Sequence, residues 1–382
     1  MLCLRKQCEA SFGKVGYIMK IGIIGLPNVG KSTLFNALTN SQVPAENYPF
    51  CTIDPNVGVV EVPDRRLDVL SAMYDTLKET RTTVEFVDIA GLVKNAGKGE
   101  GLGNQFLSHV RNVSAILEVV RCFDETNITH VDGSVDPVRD VETINYELIF
   151  SDLEILEKRI KGCEKAAAHG SAEDKLYYNT LVAAKNLLEA GRFIDLEEIS
   201  KEEREILQAQ DLLTTKKIMY AANVGEQDAL SGNDYTAALT EYVKENYPKS
   251  EVIIISAKIE SELSQLDEEE KALFLEELGL AESGMEKVIK AGYEMLDLIV
   301  YFTAGKKECR AWQIKKGTKA PKAAGIIHSD FERGFIRAEV TKYEKLVEAG
   351  NEVKAKELAF TRIEGKDYVI QDGDVIYFRF NV

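Results

Sequence analysis

The 382-residue sequence predicts an α/β fold: a parallel-sheet domain, interrupted by a long helical insertion and followed by a small, mostly β module. Three observations predict it. A β-branched run, Ile21, Ile23 and Ile24, breaks at Gly25 and gives way to a helical stripe, Leu34, Phe35 and Leu38, as where a buried strand feeds a helix. Between Asp140 and Lys201 the apolar period changes to spacings of four and three, the seam of a coiled coil. Beyond residue 298, short alternating runs separated by turn residues take over, the pattern of a small sheet.

Composition bounds the class. Hydrophobic residues make up 45% and charged residues 29% of the chain, ordinary values for a globular protein long enough for two or three domains. No run approaches the roughly 20 apolar residues of a membrane span, so no membrane partner is expected. Residues 1–18 lack a long apolar segment with a cleavage site and read as an extension, the fold beginning at Met19. Six cysteines without regular spacing fit reduced thiols and a cytoplasmic location, and no Cys/His cluster has zinc spacing. The net charge of −16 disfavours a surface that wraps nucleic acid, and no DNA partner is expected. It leaves room for one basic face, because charge acts locally beyond a Debye length of about 8 Å. A monomer is expected.

The break after the first strand reads Gly25-Leu26-Pro27-Asn28-Val29-Gly30-Lys31-Ser32, the G-x-x-x-x-G-K-[ST] pattern. Glycines let successive N–H groups turn inward around phosphate oxygens, and the helix N-terminus adds positive dipole. Residues Asn28, Val29, Gly30, Lys31, Ser32 and Thr33 are therefore assigned to phosphate binding. Lys31 would reach the β- and γ-phosphates, and the Ser32 hydroxyl would ligate Mg²⁺. Val84, Phe86 and Val87 form a strand ending at Asp88, with Gly91 three residues on. This D-x-x-G offers a carboxylate on the metal side and a glycine amide able to approach the γ-phosphate. Between the two motifs, "NYPFCTIDPNVG" holds Thr52, either a second metal-side hydroxyl or part of a hydrophobic surface loop. After Gly91, the glycines at 97, 99, 101 and 103 suit a γ-phosphate-driven switch or a plain linker.

Together the P-loop, "YPFCT", "DIAGLV" and "GKGEGLGNQFL" resemble the Obg-related branch of translation-factor GTPases, and more narrowly the Obg-like ATPase, or YchF, family. The resemblance runs from Lys20 to the C-terminus. It implies an Obg-type P-loop NTPase domain over 19–297, an inserted α-helical coiled-coil arm over 140–201, and a C-terminal β-grasp (TGS) domain over 298–382. It also implies ATP hydrolysis in preference to GTP and association with the ribosome.

Guanine-specific relatives read their base with N-K-x-D. Here Ile218, Met219 and Tyr220 lead into Asn223-Val224-Gly225-Glu226, with valine where a lysine stem would cover the ring and a longer acid where aspartate would accept from guanine. Losing such a hydrogen bond costs on the order of 1.5–3 kcal/mol, so adenine preference is expected, with residual GTP use. Ser256 and Ala257 of "SAK" look like the base-side loop of these NTPases.

Where many relatives place a water-orienting glutamine, this chain has Leu92. Polarity must come from elsewhere: a switch side chain, a monovalent cation such as K⁺ beside Asn28, or a partner. His130 matches the family's proposed catalytic histidine and has a pKa range suited to orienting water; alternatively it makes a structural hydrogen bond in its loop. His109 reads as a surface residue. Glu118 interrupts an apolar strand, either as a buried, paired carboxylate or as part of the site.

In the insertion, Ile149, Leu153, Leu156 and Ile160 face Tyr177, Leu181, Ala184 and Leu188 across a polar turn. This is an arm for a large partner or a rigid decoration. In the C-terminal module "CRAWQI", "GIIH" and "YVIQDGDVIYFRF" read as strands, with a hairpin at "QDGD" and a short helix at "SDFERGFIRAEV". Seven basic residues against Glu308 alone lie between Gly305 and Lys322, around Trp312. Such a strip suits RNA contact, which the resemblance's ribosome association makes rRNA of the large ribosomal subunit; otherwise it is a solvated face around a core tryptophan. Two functions follow: an Mg²⁺-dependent ATPase that switches on the ribosome, or a nucleotide-gated protein-binding regulator whose hydrolysis is incidental.

Overall fold

The computed structural model describes residues 19–40, 56–89, 110–125 and 133–381. Strand β1 (Met19–Ile24) is buried almost throughout and leads through the glycine loop into α1 (Lys31–Asn40). Then come β2 (Val57–Glu61), α2 (Arg65–Tyr74), β3 (Glu79–Thr80) and β4 (Thr83–Asp88). Strand β5 (Ala115–Arg121) is buried at every position, as a strand covered on both faces must be. The first sheet has the order β2-β4-β1-β5-β6-β7, where β6 is Lys217–Asn223 and β7 is Val252–Ile255. The β1–β5, β5–β6 and β6–β7 pairings are parallel. The carboxyl ends of β1, β5, β6 and β7 therefore gather at one edge, where open α/β sheets bind ligands.

Between β5 and β6 lies the helical insertion. Helix α3 (Pro137–His169) starts on an Asp136 cap with Pro137 in its first turn, and α4 (Ala172–Glu189) starts on a Ser171–Asp174 capping box. Ile149, Leu156, Leu181, Ala184 and Leu188 form its core, with Leu153, Ile160 and Tyr177 against them. These are the residues of the predicted seam. Leu207, from α5 (Lys201–Gln208), closes the same core. At its root, the buried Asp152 carboxylate accepts from Leu213 N (3.1 Å) and Thr214 N (2.8 Å), fixing the helix to the entry of β6.

After β6 come α6 (Asp234–Asn246), β7, α7 (Ala257–Leu263), α8 (Glu268–Glu277) and α9 (Gly284–Met295). The C-terminal elements are β8 (Leu298–Thr303), β9 (Cys309–Lys315), α10 (Ala320–Ile327), α11 (Ser329–Arg333), β10 (Phe335–Lys342), α12 (Tyr343–Ala349), α13 (Glu352–Glu357), β11 (Arg362–Glu364) and β12 (Asp374–Phe380). Their sheet has the order β11-β10-β12-β8-β9-β3. Alternation divides its side chains between two cores. Tyr301, Ile314, Ala338 and Ile376 pack with Ala320 and Ala324 of α10, whereas Val300, Phe302, Ala311 and Val375 pack with Leu346 of α12 and with Leu67 and Leu70 of α2.

The chain divides into two compact units, 20–58 with 86–288 and 1–19 with 59–85 and 289–382. Residues 59–85 thus belong by packing with the C-terminal sheet. Three local readings of that module change. "GIIH" lies at the end of helix α10 and the residue after it, because alanines 320, 323 and 324 give it a small-residue face for the sheet. The helix at "SDFERGFIRAEV" stops at Arg333, and Phe335 onward is β10. "QDGD" is a turn but not a hairpin. Strand β12 has β10 and β8 on its two sides, and Val369 makes only an isolated bridge to Lys319. No helix of the described residues is long and apolar enough to cross a membrane.

Candidate nucleotide site

The loop after β1 adopts left-handed backbone at Asn28 (φ 64°) and Gly30 (φ 96°). A side chain at Gly30 is excluded twice over, since its Cβ would lie 2.2 Å from Asn223 Nδ2. At Gly25 a Cβ would lie 2.7 Å from the Val119 carbonyl of β5. The loop is thus pressed onto the sheet edge, the arrangement that turns main-chain N–H groups toward an anion. Lys31 opens α1 and its ammonium pairs with Asp88 at the end of β4; the two side chains are 11% and 22% exposed. Ser32 and Thr33 stand exposed on the first turn of α1.

The opposite end of the site is built from β5, β6 and α7. Asn223, 3% exposed, donates from Nδ2 to the Val29 carbonyl (2.8 Å) and accepts at Oδ1 from Ala257 N (2.9 Å). One amide side chain therefore ties the phosphate loop to the loop after β7. Val224, also buried, donates its N–H to the Ile255 carbonyl at 2.9 Å. Glu226 accepts from Lys258 Nζ at 2.9 Å, and this carboxylate holds the Lys258 ammonium above its ordinary pKa. Ser256 is buried with its Oγ unpartnered. The two ends enclose a cleft of about 1590 Å³, lined by Asn28, Lys31, Ser32, Asn223, Glu226 and Ala257 among others.

Phe123, Asp124 and Tyr235 also line it, and the sequence reading missed them. Arg121, almost fully buried, donates to the carbonyls of Phe123 (3.0 Å) and Glu125 (3.4 Å) and lies 4.8 Å over the Phe123 ring. Position was the available signal: Phe123 and Asp124 directly follow β5, at the carboxyl edge where a parallel sheet binds, and Tyr235 lies in the first turn of α6, the helix after β6. Thr52, Gly91, Leu92, His109 and His130 lie outside the described residues.

Glu118 fits neither alternative stated for it. It is 1% exposed and outside the cleft lining, yet both carboxylate oxygens lack a partner. It sits in register with Tyr220 on β6. Burial, reinforced by the Asp140 charge, pushes its carboxyl well above the usual range.

The donor set fits Mg²⁺, which takes one or two protein oxygens and completes its shell from phosphates and water. Ser32 offers the hydroxyl and Asp88 the carboxylate. Among the described residues no group of three or more His, Cys, Asp or Glu could hold a metal alone.

The basic strip of the C-terminal module is divided by β9. Lys306 and Lys307 precede the strand, whereas Lys315, Lys316, Lys319 and Lys322 lie at its end and beyond. Lys319 and Lys322 are paired with Asp367 and Glu332. Trp312 is half-buried under Arg310 (4.1 Å), with Nε1 donating to Thr303 Oγ1 at 2.9 Å.

Comparison with known proteins agrees with this architecture. Residues 20–151 match the MMR_HSR1 family, described as a 50S ribosome-binding GTPase, and residues 298–381 match YchF-GTPase_C, described as a protein of unknown function. The chain is 54% identical to the ribosome-binding ATPase YchF of Bacillus subtilis, over 94% of this chain and 99% of the relative. It is 44% identical to Obg-like ATPase 1 of Gallus gallus, over 97% of this chain and 94% of that one. Among solved structures, the YchF GTPase of Schizosaccharomyces pombe superimposes with a TM-score of 0.86 at 39% identity, covering 96% of this chain and 99% of that one.

Proposed function

Because the chain belongs to the YchF/Obg-like ATPase family, we propose that it is an Mg²⁺-dependent P-loop nucleoside triphosphatase that prefers ATP and acts as a nucleotide-dependent switch on the ribosome. The observation that carries the reading is the left-handed loop at Asn28 and Gly30, with Lys31 held at its centre by Asp88. The loop amides take the phosphate oxygens. Lys31 passes from Asp88 to the phosphates, which leaves Asp88 and Ser32 facing the metal side. A divalent ion bound there supplies charge neutralisation at the β- and γ-phosphates. His130 is the candidate to orient the attacking water in place of the glutamine that Leu92 replaces, and a monovalent cation beside Asn28 is a second source of charge.

The relatives' names divide between ATPase and GTPase, so base choice rests on this chain's own residues. Glu226 is already engaged by Lys258, and a neutralised acceptor is poor recompense for guanine's two donors. Buried Val224 provides no lysine stem to cover a base. On the ribosome, the α3–α4 arm and the lysines flanking β9 are the surfaces proposed to meet rRNA of the large subunit. Replacing His130 by alanine tests the assignment: turnover should fall while ATP binding stays. Should the cellular role survive without turnover, the protein is a nucleotide-gated binding regulator instead.

A further inference from the structure

We propose that Glu260 is a positioning residue for this nucleotide site. Its carboxylate clasps the helix carrying the base loop to the first turn of α9, so that the purine end of the cleft and the start of α9 form one rigid piece. The inference rests on the cleft being a nucleotide site.

Helix α7 grows directly out of the base loop, and Glu260 N donates to the Ser256 carbonyl at 3.0 Å. One face of α7 turns Ala257, Lys258 and Ser261 to the cleft. The other side carries Glu260, 6% exposed, which accepts from Gly284 N at 2.8 Å. Gly284 is the first residue of α9, whose leading N–H groups have no partner within the helix. A carboxylate there also meets the positive end of the helix dipole. The close approach requires glycine: a Cβ at 284 would stand 2.5 Å from Ile255 Cγ1 and 3.0 Å from Glu260 Oε1. Ser283 and Glu286 cap the same end reciprocally, through Glu286 N to Ser283 Oγ (3.1 Å) and Ser283 N to Glu286 Oε2 (3.3 Å).

A small helix terminus thus has its own capping box, and Glu260 adds a buried acid from another helix. A buried carboxyl is costly. Burial pushes Glu260 up to about 7 despite the opposing N–H groups of Gly284 and Met285, with Glu286 raising it and Lys287 lowering it. Helix α1, which packs on α7, carries Lys31 as its one ionisable group, and that is bound to Asp88. The clasp completes a line of hydrogen bonds: Val29 carbonyl to Asn223, Asn223 to Ala257 N, one turn of α7, and Glu260 to Gly284 N. At residue 289, five positions into α9, the chain re-enters the second compact unit.

The test uses the full chain with E260A, E260Q and G284A. E260A should raise the KM for ATP on the order of tenfold at unchanged kcat. E260Q, whose amide oxygen still accepts, should restore KM to near the wild-type value. The inhibition constant of inorganic tripolyphosphate, which needs only the phosphate loop, should not move. By hydrogen exchange, ATP should protect the Gly284 and Met285 amides in wild type but not in E260A. A wild-type KM in E260A with that protection intact overturns the proposal, and so does E260Q as defective as E260A. If E260A does not fold, G284A must reproduce the rise in KM; an unchanged KM there overturns it too. A wild-type chain that binds no ATP strikes the function rather than the clasp. The clasp then stands or falls on faster Gly284 exchange in ligand-free E260A.

Discussion

The two ends of the nucleotide cleft are built by different means. The phosphate end is one continuous stretch, Gly25 to Thr33, whose Lys31 pairs with the distant Asp88. The base end is assembled from β5, β6 and α7 by side chains: Asn223 on Val29 and Ala257, Lys258 on Glu226, Arg121 on the carbonyls of Phe123 and Glu125. A local motif tolerates change around it as long as its backbone is free to turn. A site assembled by side chains is only as stable as its least protected partner.

That contrast orders the expected effects. Lys31→Ala should be the most severe, lowering turnover on the order of a hundredfold or more by loss of a preorganised charge. Triphosphate binding and turnover left intact in that variant would remove the phosphate end from the account. Asn223→Ala strands the Val29 carbonyl and the Ala257 N–H, and should cost about 2–4 kcal/mol in chemical denaturation. Because it joins the two ends, it should also weaken ATP and tripolyphosphate together. An effect on ATP alone would show that the ends are independent.

Glu118 lies outside both ends and gives a control on the sheet between them. Its folded pKa stands well above the unfolded value of 4.5, so its stabilising contribution is complete below that value and is lost as pH rises through the folded pKa. Wild-type stability should therefore decline over that window, and Glu118→Gln should flatten the decline without changing the KM for ATP. A parallel loss of nucleotide affinity would return Glu118 to the site. Lys258→Ala should be the mildest. The Lys258–Glu226 pair is exposed and screened by solvent, so freeing Glu226 should narrow ATP-over-GTP discrimination by no more than about fivefold. A widened preference would reverse the role given to that pair.

The same contrast governs what could be read in the sequence. The P-loop was legible because its spacing is itself the structure. The arm was legible because Ile149, Leu156, Leu181 and Leu188 recur with the period of the helix that uses them. What stayed hidden depends on partners distant in the chain. Leu67 and Leu70 give α2 an apolar stripe, but no periodicity says that it covers the C-terminal sheet. The lysines around Trp312 are neighbours in sequence and are separated in space by a seven-residue strand. "QDGD" has hairpin chemistry, yet β12 takes its neighbours from elsewhere, because strand order is a long-range choice. Asn223 could be singled out by its N-x-x-E setting after a buried strand, whereas its bond to the Val29 carbonyl could not.

The central claim is that a main-chain cradle at one end and a guanine-averse pocket at the other make this an ATP site. Calorimetric titration of the full chain with ATP and with GTP, both with Mg²⁺, tests it most directly. ATP should bind roughly ten- to a hundredfold more tightly, the equivalent of one charged hydrogen bond withheld from guanine. Equal affinity, or tighter binding of GTP, would contradict it.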